Sequence, residues 1–595
     1  MAKNILIVES PAKANTINKY LGSDFEVLAS YGHVRDLVPR EGAVDPEHDF
    51  RMSYQVVDRN RKHVDRLVKA ARKAQAIYLA TDLDREGEAI AWHVQQLLDD
   101  AGVLKGRALY RVVFSEITKR AVQEAVANPR AISKDLVDAQ QARRALDYLV
   151  GFNLSPLLWR KVQPGLSAGR VQSPALRMIV EREEEIERFE PQEYWTIEAD
   201  LNKDSTDFTA ALVRWQDKKL EQFDIDNTEQ AESVRRRLLD AAGDRMQVAR
   251  VKKQQRKRRP APPFITSTLQ QEASRKLRLS ASRTMRLAQQ LYEGVQVDGG
   301  NQGLITYMRT DSVNLAGEAI QEMRKVIDAQ FGADKLPEKP NFYSTKSRNA
   351  QEAHEAIRPT SAGLTPDRVK PYLSEDQLKL YTLIWKRALA CQMKHAVMDT
   401  VRVEFDGAED SVLRANGSTI RDPGFLSVYE ESADSAKGKK KEVRLPALEE
   451  GEVVDLRAIR AEQHFTEPPP RYSEASLVKT LEDCGIGRPS TYASIISTLL
   501  DREYVELDRR RFVPTDTGRV VAKFLANHFE RYVDYDFTAR LEDELDAISR
   551  GEKDSVPVLE HFWEPFKERV DEKAETVSRD EARQTRVLGT DPESG

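Results

Sequence analysis

"YLATDLDREGEAIAWH", residues 78–93, decides how the first part of this chain folds. Its opening is a short apolar strand running into acids, and its second half has helical spacing. Asp82, Asp84 and Glu86 stand at alternate positions just past the strand, where side chains of an extended segment share a face. A second apolar strand, "NILIVES" (4–10), carries Glu9 at its end. "PAKANTINKYL" (11–21) then starts a helix, with Ser10 as N-cap and Pro11 at the first position. This strand–helix alternation predicts an α/β unit with a mostly parallel sheet over residues 1–133. Ligands of such sheets bind in the crevice beyond the carboxyl ends of the strands. Glu9, Asp82, Asp84 and Glu86 gathered there would repel one another unless a cation joined them, and all-oxygen donors suit magnesium. A D-x-D-x-E string also occurs on ordinary solvated surfaces. Lys13, one helical turn past Glu9, is placed to clamp a phosphate or donate a proton, and the helix start itself favours a phosphate.

Working outward, 595 residues suggest roughly four domains. With 40% hydrophobic and 32% charged residues the chain can bury cores, and no apolar run approaches the roughly 20 residues of a membrane helix. "MAKNILIVES" shows no secretory signal. Two cysteines, Cys391 and Cys484, exclude a disulfide framework and a four-cysteine zinc site, so a cytoplasmic protein is expected. Net charge is −5, from 92 basic and 97 acidic residues, so nucleic-acid binding must be sought in local clusters. The densest is "RVKKQQRKRRPAPP" (250–263), which also reads as a solvated linker.

Residues 134–190 read as long helices, "LVDAQQARRALDYLVGF" and "SPALRMIVEREEEIERF". The period then switches to strand-like alternation in "YWTIEADL", "FTAALVRW" and "MQVARVKK", and again in "TVRVEFDG", "FLSVYEE" and "EVVDLRAI". A helical stretch, 266–393, lies between these two strand-rich blocks, and the chain is helical again after "PPPR" (468–471). Within it, "GLITYMRTDS" (303–312) gives Leu304–Tyr307 strand-like composition, for which a half-buried Tyr307 needs no further explanation.

"LIVESPAK", "ATDLDREGEAIAWH", "LSAGRVQSP", "ITYMRTDS", "EAHEAIRP" and "GIGRPSTYA" occur in one colinear order from Lys3 to about residue 550. Together they closely resemble the bacterial type IA DNA topoisomerases, whose N-terminal domain is a toprim domain. The resemblance implies a toroidal, multidomain α/β plus α plus β architecture. The toprim domain would span 1–133, and a helical single-strand-binding domain 134–190 with 471–580. A β arch would span 191–265 with 394–470, a helical head 266–393, and a tail 581–595. It implies an ATP-independent isomerase, in keeping with the absence of a G-x-x-x-x-G-K-[ST] loop. Tyr307 would attack a phosphodiester of single-stranded DNA and hold the 5′-phosphate. Its phenol, only about 0.1% ionised at neutral pH, would be helped by Arg309. Lys13 or Glu9 would protonate the leaving 3′-oxygen, and Mg2+ would serve as cofactor.

By the same resemblance, His33, Arg111 and His354 lie near the scissile phosphate. Arg143 and Arg144 contact DNA with Asp147 positioning them, though a solvated helix face is the plainer reading of that string. Ser167, Ala168, Gly169, Arg170, Val171 and Gln172 form a phosphate-binding stretch whose small residues free backbone N–H groups. Arg488, Ser490 and Thr491 act alike, and Phe152 and Trp159 offer stacking faces for bases. Tyr148 and Phe152 stand where some relatives carry arginine and tyrosine, so no base preference carries over. "GVQVDGGNQ" (294–302) receives no role. The C-terminal zinc modules of many relatives have no counterpart before the chain stops at "LGTDPESG". A monomer is expected. The rival readings are a toprim nuclease or primase, which hydrolyses or polymerises, and a single-strand-binding protein whose acids are structural.

Overall fold

The computed structural model describes residues 3–298, 300–344, 355–407, 409–432 and 444–583. The N-terminal sheet is wholly parallel, in the order Phe25–Ala29, Asn4–Val8, Ala76–Leu79, Ala108–Arg111. Asn4–Val8 and Ala76–Leu79 are central, which explains their unbroken apolar sequence. Being neighbours, they deliver Glu9 and the 82–86 stretch to the same end of the sheet. Ser10 caps Pro11–Leu21 and Asp84 caps Arg85–Asp100, each side chain accepting from the backbone N–H three residues on.

The two strand-rich blocks interleave. Thr206–Trp215, Val412–Asp422, Ala396–Asp406, Arg245–Arg258, Val453–Phe465 and Glu193–Lys203 pair antiparallel in that order, and Glu193–Lys203 pairs back on Thr206–Trp215. The result is a closed six-stranded barrel with its own core, including Leu201, Phe405 and Leu413. Closure removes most of the open edge that a curled sheet would expose. Val412–Asp422 is a further full strand, although Asn416, Gly417 and Ser418 give it little strand propensity; its pairing on both sides supplies what the residues lack. Two local expectations change. "FLSVYEE" is no strand: Gly424–Ser427 is a short 3-10 turn that buries Phe425 and Tyr429 against the helical unit. The basic run is no linker, since Arg245–Arg258 is one continuous strand.

Tyr307 also lies outside regular strand structure. Ile305 makes only an isolated bridge to Pro359, and the Tyr307 N–H donates to Ser115 O at 2.8 Å. The 303–308 stretch is pinned to the parallel-sheet unit, because the Gly303 N–H also donates to Ile117 O. A single apolar cluster runs across the junction, joining Leu6, Val8 and Ile17 to Tyr292, Leu304 and Tyr307.

The largest core belongs to the helices. Lys134–Lys161 packs against Tyr535–Ser549 and Ser555–Thr576, and Gln172–Glu187 against Asp516–His528. One carboxylate ties this unit together. Glu542, fully buried, accepts from Arg143 of the 134–161 helix and from Arg170 of the following loop, with Arg488 4.0 Å away. Arg488 is held in turn by Asp546, one helical turn beyond Glu542. Burial alone would raise the Glu542 carboxyl, but the charges of Arg143, Arg170 and Arg488 win and hold it well below its ordinary value.

Glu542→Gln leaves three guanidinium groups around a neutral amide, so this unit should lose about 3–5 kcal/mol in denaturant unfolding. The stability that the carboxylate supplies is complete above its unfolded pKa of about 4.3 and disappears as pH falls below it. The wild type should therefore lose stability steeply in acid where Glu542→Gln does not. A variant that unfolds like the wild type at neutral pH would contradict this reading.

Candidate active site

The site lies where the parallel sheet ends against the Tyr307 stretch. Lys13 and Asp82 form a buried ion pair at 2.8 Å, each almost without exposure. Glu9 accepts the Asp82 N–H at 2.5 Å. Burial, then the Asp82 charge, pushes the Glu9 carboxyl up to about 8, so it carries a proton at neutral pH. Burial would also raise Asp82, but the Lys13 ammonium overrides it and holds Asp82 below the ordinary carboxylate value. The helix start is drawn tightly beneath this pair: a Cβ on Gly87 would stand 2.1 Å from Asp82 O, so only glycine fits.

Asp84 spans the junction. Its Oδ1 accepts from the Gly87 N–H at 2.9 Å, and its Oδ2 accepts from the Tyr307 hydroxyl at 2.8 Å. Arg309 Nη1 stands 3.6 Å from the same Oδ2. Tyr307 and Arg309 therefore face one carboxylate, as their spacing suggests. The sequence did not foresee the sign of the effect on the phenol. Burial, then the charges of Asp84 and Asp82, drive Tyr307 well above its ordinary value, and Arg309 offsets only part of this. Its side chain is 2% exposed. In this arrangement the nucleophile candidate is protonated and shielded.

Glu86 pairs with His33, and this contact holds Glu86 down at about 2 against the upward pull of burial. Glu86 also lines a cleft of about 1210 Å³ with Asp84, Arg143, Arg309, Arg488 and Ser490. Among the described residues no three His, Cys, Asp or Glu side chains already stand as a metal site. The donor chemistry does fit a hard cation. Only oxygens are offered, and burial, then the Asp82 charge, raises the Glu9 carboxyl, a repulsion between carboxylates that a cation would relieve. In the present arrangement Lys13, Tyr307 and His33 occupy the carboxylates instead.

Other candidates are placed differently from expectation. Arg111 is fully buried: it pairs with Glu88 and donates to the carbonyls of Leu79, Thr81, Asp82 and Val112. With these contacts it shapes the 79–82 turn. Arg170 is 3% exposed, held by Glu542 and by Asp147 at 3.2 Å. In the 167–172 stretch the N–H groups of Ser167, Ala168 and Gly169 are taken by the hydroxyls of Tyr504, Ser155 and Ser173, while Ala168 and Val171 are buried. The small residues thus serve packing rather than a free amide cradle. Gln172 bonds Ser167, and Thr491 caps the Arg488 turn. Arg144 pairs with Asp36 outside the cleft lining. Phe152 and Trp159 are exposed, Phe152 stacked on Tyr148. His354 lies outside the described residues.

Four neighbours escaped sequence reading. Tyr292 meets Tyr307 edge-on at 5.2 Å, with Lys13 Nζ 5.9 Å from its ring, and its buried hydroxyl has no hydrogen-bond partner among the described residues. No sequence period links it to Tyr307. Glu542 and Asp546 recur at i, i+4 beside Leu541 and Leu545, so acids inside an apolar stripe were the available signal. Arg85, at the cleft, pairs with Asp546 and keeps a buried Nη1 without a partner.

Comparison with known proteins agrees with this geometry. Residues 4–117 match the toprim domain and residues 131–560 match the DNA topoisomerase family. The chain is 59% identical to DNA topoisomerase 1 of Xylella fastidiosa (strain 9a5c) over 598 residues, covering 100% of this chain and 73% of that protein. With DNA topoisomerase 1 of Rickettsia felis it shares 53% identity over 570 residues, 95% of this chain and 73% of that one. The structure of full-length topoisomerase I from Thermotoga maritima matches with a TM-score of 0.83 at 39% identity, covering 98% of this chain and 91% of that chain. A parallel sheet that ends in carboxylates, closed against a tyrosine loop within these family matches, makes this chain a member of the type IA DNA topoisomerases.

Proposed function

We propose that Tyr307 is the nucleophile of this topoisomerase. Its Oη attacks a backbone phosphorus of a single-stranded DNA segment, forming a phosphotyrosine ester as the bond to the 3′-oxygen breaks. The phenolic proton passes to Asp84 Oδ2, its present hydrogen-bond partner. The leaving 3′-oxygen takes a proton from Glu9, which holds one at neutral pH, with Lys13 as the neighbouring cation. Arg309 stabilises charge on the phosphoryl oxygens. One ester replaces another, so rejoining runs the same steps backwards without ATP. The observation that carries this reading is the Tyr307–Asp84 hydrogen bond beside Arg309, across a junction between two units.

The buried phenol implies an order of events: the 266–393 head moves off the toprim sheet before a phosphate reaches Tyr307. The 1–133, 134–190 with 471–580, and 191–265 with 394–470 partition supplies the other rigid bodies, with the barrel as the arch. The cleft holds the single strand. Arg143, Arg488 and Ser490 line it, and the unpartnered Arg85 Nη1 is a donor kept for phosphate. The toprim domain is a magnesium-binding fold, and Glu9, Asp84 and Glu86 would hold that ion. When bound it supplies positive charge near the scissile phosphate and fixes the rejoining ends. The protein acts as a monomer at the nucleoid in the cytoplasm.

Tyr307→Phe removes one oxygen and keeps the ring, so stability should change by about 1 kcal/mol. The variant should bind labelled single-stranded DNA yet form no covalent adduct on denaturing gels. An adduct in that variant, or one joined through a 3′-phosphate, would overturn the assignment.

Asp82 is a poor probe of the metal, because its loss strands Lys13. Glu86→Gln removes one carboxylate charge and spares Asp84, the acceptor of the Tyr307 proton. Relaxation should then need more than about ten times the magnesium, as about 1.4 kcal/mol of lost attraction produces. In excess EDTA the wild type should still cleave oligonucleotides but fail to rejoin them. Full plasmid relaxation in EDTA would refute the metal's role.

A further inference from the structure

The Tyr307 chemistry makes no use of the far half of strand Arg245–Arg258. Met246 and Val248 face the barrel core, but after a register shift between Val248 and Arg250 the strand runs on beyond it. Every residue from 252 to 259 is exposed, and the segment reads Lys-Lys-Gln-Gln-Arg-Lys-Arg-Arg. One edge pairs with Ala396–Asp406 throughout. The other pairs with Val453–Phe465 only at Arg245–Gln247, and among the described residues no strand covers it further on.

Neutralising partners are nearly absent. Among the described residues only Arg258 of this segment forms an ion pair, a 3.4 Å contact with Glu430. On the facing strand, Arg402 stands opposite Lys252, and Asp399 opposite Gln255 is the one acid between residues 396 and 403. A bland function exists: charge on an open edge discourages sheet-to-sheet pairing. One or two lysines achieve that. Six cations in eight residues on a chain of net charge −5 repel one another and call for a polyanion.

We propose that residues 252–259 form a second DNA-binding surface, which grips the phosphate backbone of duplex DNA outside the Tyr307 cleft. The spacing fits. Same-face residues of a strand recur at roughly 6.7 Å, about twice the 3.4 Å rise between phosphates of one DNA strand. Lys252, Arg256 and Arg258 share one face, and Lys253 and Lys257 the other, so cations project on both sides of the ribbon. The choice of duplex over single strand follows from what the segment lacks: it carries no aromatic side chain on which an unpaired base could stack. Placement gives the grip a purpose. The strand leads through Pro260–Pro263 to Phe264, which bridges to Ile357, and to Thr266, whose N–H donates to Thr310 O three residues past Tyr307. DNA held here is attached to the covalent continuation of the segment that carries Tyr307.

The test is the quadruple variant K252Q/K253Q/R256Q/K257Q in the full chain, with the all-arginine counterpart K252R/K253R/K257R as control. Binding of a blunt 20-base-pair duplex is measured across a salt series. The slope of log K against log salt should fall in magnitude by about 3–4 in the glutamine variant, from roughly 0.9 per lost phosphate contact. The arginine variant should keep the wild-type slope. Cleavage of a short single-stranded oligonucleotide should be unchanged in both, while plasmid relaxation becomes less processive in the glutamine variant alone. An unchanged duplex slope in a variant with the wild-type melting temperature would reduce the segment to edge protection. Equal weakening of duplex and single-strand binding would place it in the cleft already described, and would equally overturn the proposal.

Discussion

Asp84 is bound to two units at once, and the site depends on that sharing. One oxygen closes the first turn of the helix that follows the central strand; the other takes the Tyr307 proton donor from a loop more than two hundred residues away. The first bond fixes the carboxylate on the toprim sheet. The second makes the tyrosine loop answer to it. Arg309 completes the arrangement, because without a cation the Asp82–Asp84 pair beside a phenol would be a purely repulsive setting for a developing phenolate. Burial and then two carboxylates outweigh one guanidinium, so the Tyr307 phenol is held well above its ordinary value.

The junction is more than this polar contact. Leu6, Val8 and Ile17 share a continuous apolar core with Tyr292, Leu304 and Tyr307, and two backbone hydrogen bonds from Gly303 and Tyr307 cross it. Opening the protein therefore exposes apolar surface and unpairs amides, both unfavourable in water. On the proposed reading closure is the resting state, and DNA contacts made elsewhere drive the separation. The barrel suits the opposite role. Its two sequence blocks close on each other strand by strand, which suits a body that moves as one unit on the proposed reading.

Much of this could be read from the sequence where short-range chemistry dictates structure. The apolar strand, Ser10 and Pro11, and the alternating acids each carry their reason within a few residues, and Pro11–Leu21 forms as read. What the sequence left unread shares a cause: structure imposed from a distance. Val412–Asp422, which no local pattern singled out, is a strand because two neighbours hold it, despite Asn416 and Gly417. Tyr307 has strand-like company but pairs with Ser115 and an isolated bridge rather than a sheet. Arg111 looks like a phosphate ligand in one dimension; in three it is enclosed by Glu88 and four carbonyls. A guanidinium has the same donors for a carbonyl as for a phosphate, so residue type alone cannot separate the two uses.

That ambiguity has a physical counterpart in the cleft. Arg143, Arg170 and Arg488 are held by Glu542, Asp147 and Asp546, which offer them the oxygen donors that a DNA backbone would offer. Three guanidinium groups collected without those acids would repel one another and leave the helices unable to pack. With the acids present, the cluster is assembled before DNA arrives and requires no reorganisation to receive it. The cost is that each arginine has part of its charge already answered. On the proposed reading a phosphate then gains only a donor left over, such as Arg85 Nη1, and the residual field of the group. Binding at such a site is weaker per contact than at a bare cationic patch. That suits an enzyme whose strand must be released and regripped at every cycle, and it leaves tenacious, salt-dependent attachment to a surface whose charges are not internally compensated.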